Sequence, residues 1–188
     1  MEVLAPNVFL SDGGMTIVRR TDRQLVVFDA VPPADTWRWL DGLGTVAYLC
    51  VWPGDMPSDS VRRAFRQRYP QLREVEVSEQ DAFPVGRVVE LSRALAAVVL
   101  SDARVVVTNA FDWRGRPREP LSSEAMARLR GVPLDCVLSG GRKVSVTEEA
   151  LAGALDDSVE QYSPWSPLAV ALFVGVLFID AALLLSLL

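Results

Sequence analysis

Apolar and polar positions alternate in short runs over the first thirty residues, and the period changes soon after. "VFL", "MTIVRR" and "LVVFDAV" are β-branched runs separated by the polar turns "SDGG" and "TDRQ", which predicts strands joined as hairpins. "PPADTWRWLDGLG" predicts a helix, with proline at its start, Trp37 and Leu40 at helical spacing and glycine at its end. "TVAYLCVW" is almost wholly apolar, as a strand covered on both faces is. "PSDSVRRAFRQRYPQL" predicts a second helix, capped by Ser58 or Asp59, with Val61 and Phe65 inward and Pro70 closing it. "REVEVS" alternates as a strand. "ALAAVVL" and "RVVVTNAF" flank "SDA" and predict a hairpin, with a helix through "ELSRALAAVVL" as the competing assignment. "SSEAMARLRG" predicts a short helix, "LDCVLSGG" a strand entering a glycine turn, and "TEEALAGAL" a last helix. Strands and helices in this order predict an α/β protein whose helices cover sheet faces.

The pattern changes again at "SPWSPLAVALFVGVLFIDAALLLSLL". From Leu168 to Leu188 there are 21 positions with one charge, Asp180. A helix of that length spans a hydrocarbon core about 30 Å thick. Pro164 and Pro167 set its boundary, and Trp165 suits the interface. The expected organisation is a soluble domain over 1–157, a linker over 158–166 and a transmembrane helix over 167–188. "MEVLAPNVFL" lacks the basic and apolar regions of a signal peptide, so the expectation is a tail-anchored, single-pass membrane protein with its N-terminal domain in the cytoplasm. An acid within a span is a functional-site candidate, and Asp180 is one. Ala171 and Gly175 form a small-xxx-small pair that lets another helix approach. The partner this implies is an integral membrane protein, or a second copy of the chain, within the lipid bilayer.

Composition narrows the chemistry. Nineteen basic against 24 acidic side chains argue against a nucleic-acid partner. Arg62, Arg63, Arg66 and Arg68 make the second predicted helix locally basic, which suits either a solvated face or an anionic headgroup. The two cysteines, Cys50 and Cys136, sit in apolar runs and read as buried free thiols. There is no histidine, which removes Ser-His and Cys-His nucleophile pairs and imidazole-ligated metals. Any chemistry rests on carboxylates, thiols, hydroxyls or backbone.

"LVVFDAV", "LCVWPGDMPSDS", "VVVTNAF" and "CVLSGGRKV" follow one another in an order that resembles the metallo-β-lactamase superfamily, over roughly residues 5–155. The resemblance implies an αββα sandwich. It sets Asp29 on that family's Asp-Thr-Gly turn. It sets Val51, Pro53, Asp55 and Met56 on the His-x-His-x-Asp-His loop, with Asp55 alone retained. Thr108 and Asn109 fall on the Gly-Asp strand end, Gly86 and Arg87 on the mid-chain Gly-His, and Gly141 on the histidine of the late Pro-Gly-His-Gly turn. The same resemblance implies that no metal or other cofactor is held and that no catalytic residue remains, since one carboxylate cannot hold zinc.

Two functions are therefore expected. The first is a metal-free pseudoenzyme, a scaffold or accessory subunit of a membrane complex. The alternative is a hydrolase, or a small-ligand or nucleotide binder, with a relocated carboxylate site. Asp12, Asp29, Asp55, Asp59 and Asp81 are its candidate carboxylates, and the glycine turns "SDGG" and "LSGGRK" its candidate cradle, the second carrying Arg142 and Lys143.

Overall fold

Short β-branched runs joined by tight turns pair with their sequence neighbours, and this rule builds most of the molecule. A computed structural model describes residues 1–31, 37–79, 83–112, 114–129, 132 and 136–146. The first sheet takes six strands in sequence order. They are β1 (Glu2–Ala5), β2 (Val8–Leu10), β3 (Thr16–Arg19), β4 (Gln24–Phe28), β5 (Thr45–Val51) and β6 (Arg73–Glu76). The second sheet holds β7 (Arg87–Glu90), β8 (Ala96–Leu100), β9 (Val105–Thr108), β10 (Val137–Ser139) and β11 (Arg142–Val144), ordered β11-β10-β9-β8-β7.

Hairpin-linked neighbours are antiparallel throughout β1–β4, β7–β9 and β10–β11. The pairs β4–β5, β5–β6 and β9–β10 are parallel. A parallel pair needs a crossover, and the crossovers carry the α-helices. These are α1 (Trp37–Leu43), α2 (Asp59–Arg68) and α3 (Ser123–Leu129).

Period-two alternation sorts the side chains into layers. Val26 and Phe28 of β4 lie in one apolar cluster with Val98 of β8, Val107 of β9 and Leu138 of β10, so the two sheets pack face to face. Leu25 and Val27 point the other way and meet Leu40 of α1 with Val61 and Phe65 of α2. Val99, Val106 and Val137 turn from the second sheet toward Ala125 and Leu129 of α3. In β5, Val46 and Leu49 both face the helices although they are three apart. The register slips at that point: Leu25 pairs with Val46 and Val26 with Tyr48, so Ala47 is an extra residue that resets the alternation.

The structure corrects the expected fold class. The described residues are mostly β, in two mixed sheets, and do not form an αββα sandwich. Eleven strands stand against three α-helices of seven, ten and seven residues among the described residues. The physical reason is connection length: hairpins replace most of the crossovers that a regular α/β alternation needs. The competing helix through 90–100 is excluded, because Ala96–Leu100 is a strand buried at every residue. The expected transmembrane and tail-anchored character is also corrected: among the described residues no helix is long and apolar enough to cross a membrane. Residues 168–188, with Ala171, Gly175 and Asp180, lie outside the described residues, as does the helix expected over 147–155.

The basic face of α2 is largely neutralised. Arg62 and Arg66 both reach Glu74 of β6, at 2.6 and 2.8 Å, and Arg68 pairs with Asp41 of α1. Tyr69 donates to the same Asp41 at 2.8 Å, and Trp37 stands edge-on to Phe65 with ring centroids 5.0 Å apart. Aromatic burial carries this contact. Phe65→Ala, at a position with no exposed surface, is expected to cost about 3–5 kcal/mol by urea unfolding. Trp39→Ala, on the exposed side of α1, is expected to stay within about 0.5 kcal/mol.

Candidate functional site

Three loops meet at one end of the sheets, and each is shaped by local chemistry. The β2–β3 turn, Ser11–Gly14, closes on Ser11. Its Oγ accepts the Met15 N–H at 2.9 Å and its carbonyl accepts the Gly14 N–H at 3.0 Å. After β5 the chain turns at Trp52-Pro53-Gly54-Asp55. The Asp55 N–H donates to the Trp52 carbonyl at 3.1 Å, and Gly54 has φ of 71°. Proline then glycine at the two central positions is the order of a type II turn. The β10–β11 hairpin turns at Gly140 and Gly141, with φ of 54° and 65°. Two successive positive φ values make a type I′ turn, which suits the twist of the flanking strands.

Asp29 joins two of these loops to β4. It follows the last residue of β4 in a left-handed conformation, φ of 53°, which aspartate tolerates better than most residues. Its Oδ1 accepts the Trp52 indole N–H at 2.8 Å and its Oδ2 accepts the Gly141 backbone N–H at 2.9 Å. The Gly141 backbone in turn abuts the third loop: a Cβ there would sit 1.2 Å from the Gly14 carbonyl oxygen. One carboxylate and one glycine thus hold three loops together. Burial is the main influence on the Asp29 carboxyl and raises it above the ordinary value of 3.8. The negative charge of Asp55 adds to this, while the indole and amide donors and Arg118 oppose it.

These loops enclose an open cleft of about 720 Å³. Ser11 to Gly14, Asp29, Cys50, Trp52, Asp55, Gly140, Gly141, Arg142 and Lys143 are among the residues lining it. Its volume suits a small organic ligand. The Cys50 thiol is buried, and burial together with the charge of Asp29 pushes it far up, so it stays protonated and is a poor nucleophile.

The positions expected from the resemblance divide. Asp29, Asp55 and Gly141 come together in the cleft; Asn109 does not line it. Asn109 instead accepts the Ala96 N–H at 2.9 Å and donates to the Ala94 carbonyl at 2.8 Å, which fixes the entry to β8. Val51 is buried at the end of β5 beside Glu76, Arg87 begins β7 and Gly86 lies in the bend just before it. Pro53 is half-buried and Met56 is exposed, while Trp52 beside them is buried. The carboxylates of the alternative reading also divide. Asp12 is exposed on the cleft wall, Asp59 pairs with Arg62 at 3.4 Å on α2, and Asp81 lies outside the described residues. Ser58 occupies the position before α2 without a side-chain capping bond, its Oγ lying 3.0 Å from that of Ser60. Among the described residues no group of three histidine, cysteine, aspartate or glutamate side chains is placed to hold a metal ion.

Sequence reasoning missed Trp52 as the partner of Asp29 and the meeting of the two glycine turns. The glycine pairs were visible; their contact, across more than a hundred residues, was not. Compared with family models, curated proteins and solved structures, the chain matches none.

Two outcomes follow from this geometry. Gly54→Ala meets open space and carries only the cost of a left-handed alanine, about 1–2 kcal/mol. Gly141→Ala meets the Gly14 backbone and is expected to cost more than about 4 kcal/mol or to prevent folding; chemical denaturation compares the two. The second outcome concerns charge. Asp29 holds its proton more tightly folded than unfolded, so its stabilising effect is complete below pH 3.8 and declines as pH rises through the folded midpoint. Removing a donor to the carboxylate, by Trp52→Phe, should raise that midpoint further, as read by carboxyl ¹³C NMR; an unchanged midpoint would show that the indole bond does not act on Asp29.

Proposed function

We propose that the chain is a non-catalytic domain that binds a small polar ligand in the cleft beneath Asp29. The observation that carries this reading is the convergence of both glycine turns and the Trp52 loop on one open cavity. The groups in that cavity favour holding over reacting. Both oxygens of Asp29 are engaged by donors from the protein itself, and the Cys50 thiol stays neutral. Each Asp29 oxygen keeps one acceptor site for a ligand, but the two donors hold the carboxylate in place and make it a weaker base than a free one. The mixed lining, with carboxylates, cationic side chains and backbone turns, is typical of a site that fixes orientation by polar contacts. The expected accessory role in a membrane complex rested on residues 171–180 and does not enter this proposal.

A thermal-shift screen of the full chain against amino acids, nucleotides, sugar phosphates and dicarboxylates tests it. A true ligand at a hundredfold excess over its Kd stabilises by about 2.7 kcal/mol. It is also expected to move the Trp52 indole N–H resonance, because Trp52 lines the cleft. Stabilisation that leaves this resonance unmoved would place binding elsewhere and overturn the proposal.

A further inference from the structure

The cleft holds charges of both signs. Asp29 and Asp55 repel each other, and the hydrogen-bond partners of Asp29, an indole and a backbone amide, are uncharged. A cationic group entering here would relieve that repulsion without breaking either bond. Arg142 and Lys143 line the same cleft and follow Gly141, whose amide is bonded to Asp29. No carboxylate among the described residues is ion-paired with either of them. Acidic and basic groups therefore line one cavity of about 720 Å³. A neutral sugar can hydrogen-bond to both sets but neutralises neither charge. A polyanion such as a nucleoside triphosphate would meet four carboxylates, those of Glu2, Asp12, Asp29 and Asp55, where like charge costs affinity.

We infer that the cleft takes a small zwitterion, an α-amino acid or short peptide, with its ammonium toward Asp29 and Asp55 and its carboxylate toward Lys143. This rests on the binding reading above and names the ligand class for that same site. Charge complementarity at both ends selects a cation and an anion held a few bonds apart. Part of the attraction is screened, so affinity falls with ionic strength.

Calorimetric titration of the full chain with alanine, alanylalanine, ethylamine and propionate tests the assignment, with the Trp52 indole resonance as the reporter of cleft occupancy. Either zwitterion is expected to bind about tenfold tighter than both single-charge analogues. Asp55→Asn and Lys143→Gln, both on the cleft wall, are each expected to weaken the zwitterion and to leave the analogue lacking the corresponding charge unchanged. Equal binding of zwitterion and single-charge analogue overturns the inference. So does a nucleotide or sugar phosphate that moves the Trp52 resonance when no zwitterion does; in that case the binding reading stands. If no compound of any class moves the resonance, both fail.

Discussion

The Asp29 carboxylate is the interaction on which the cleft depends. Its two oxygens take donors from residues 23 and 112 positions away in the chain. One donor comes from the loop after β5 in the first sheet, the other from the hairpin at the edge of the second. A carboxylate in this place is costly, because burial disfavours its charge and Asp55 stands near. The two hydrogen bonds offset part of that cost, and bonds to a charged group are the stronger kind. Gly141 extends the clamp, since only a residue without Cβ lets its backbone meet the Gly14 turn. Without this junction the two sheets would still share their apolar layer, but the Trp52 loop and the β10–β11 turn would lose the carboxylate that joins them.

Much of the local structure is written in the pattern of residues. The β-branched runs at 8–10, 16–19 and 24–28, bounded by polar turns, mark strands covered on both faces, and they pair as strands. Val61 and Phe65 mark the inward face of α2. The strands β1, β7 and β11 are short and partly polar, so their sequence carries little periodicity; pairing partners decide them. The fold class was misjudged for the same reason. Whether consecutive strands lie antiparallel or parallel decides how many helices the chain needs, and register is a property of the assembled sheet.

The site was legible only in part. Asp29, Asp55 and Gly141 were picked out by their places in a resemblance, and they do meet. The resemblance gave Asp29 only a place on a turn; in the structure it is a hydrogen-bond hub, engaged by Trp52 and Gly141. Asn109 was placed in the same set, yet it serves the backbone at Ala94 and Ala96. An amide side chain next to a turn has this local alternative always open to it, and single residues do not announce which partner they choose. Trp52 gave no signal beyond its neighbours proline and glycine. In the cleft the carboxylate is already hydrogen-bonded and the thiol is held neutral, and the proposed binding role rests on that arrangement.

The most direct measurement of this account is residue-resolved hydrogen exchange at the Gly141 amide and the Trp52 indole. If Asp29 clamps both, each proton should exchange only through a larger opening, as slowly as the protected amides of β4 and β5. Replacing Asp29 with alanine should then release both together while the strand amides remain protected relative to them. Rapid exchange of either proton in the unaltered protein would contradict the clamp, and the cleft built on it would lose its foundation.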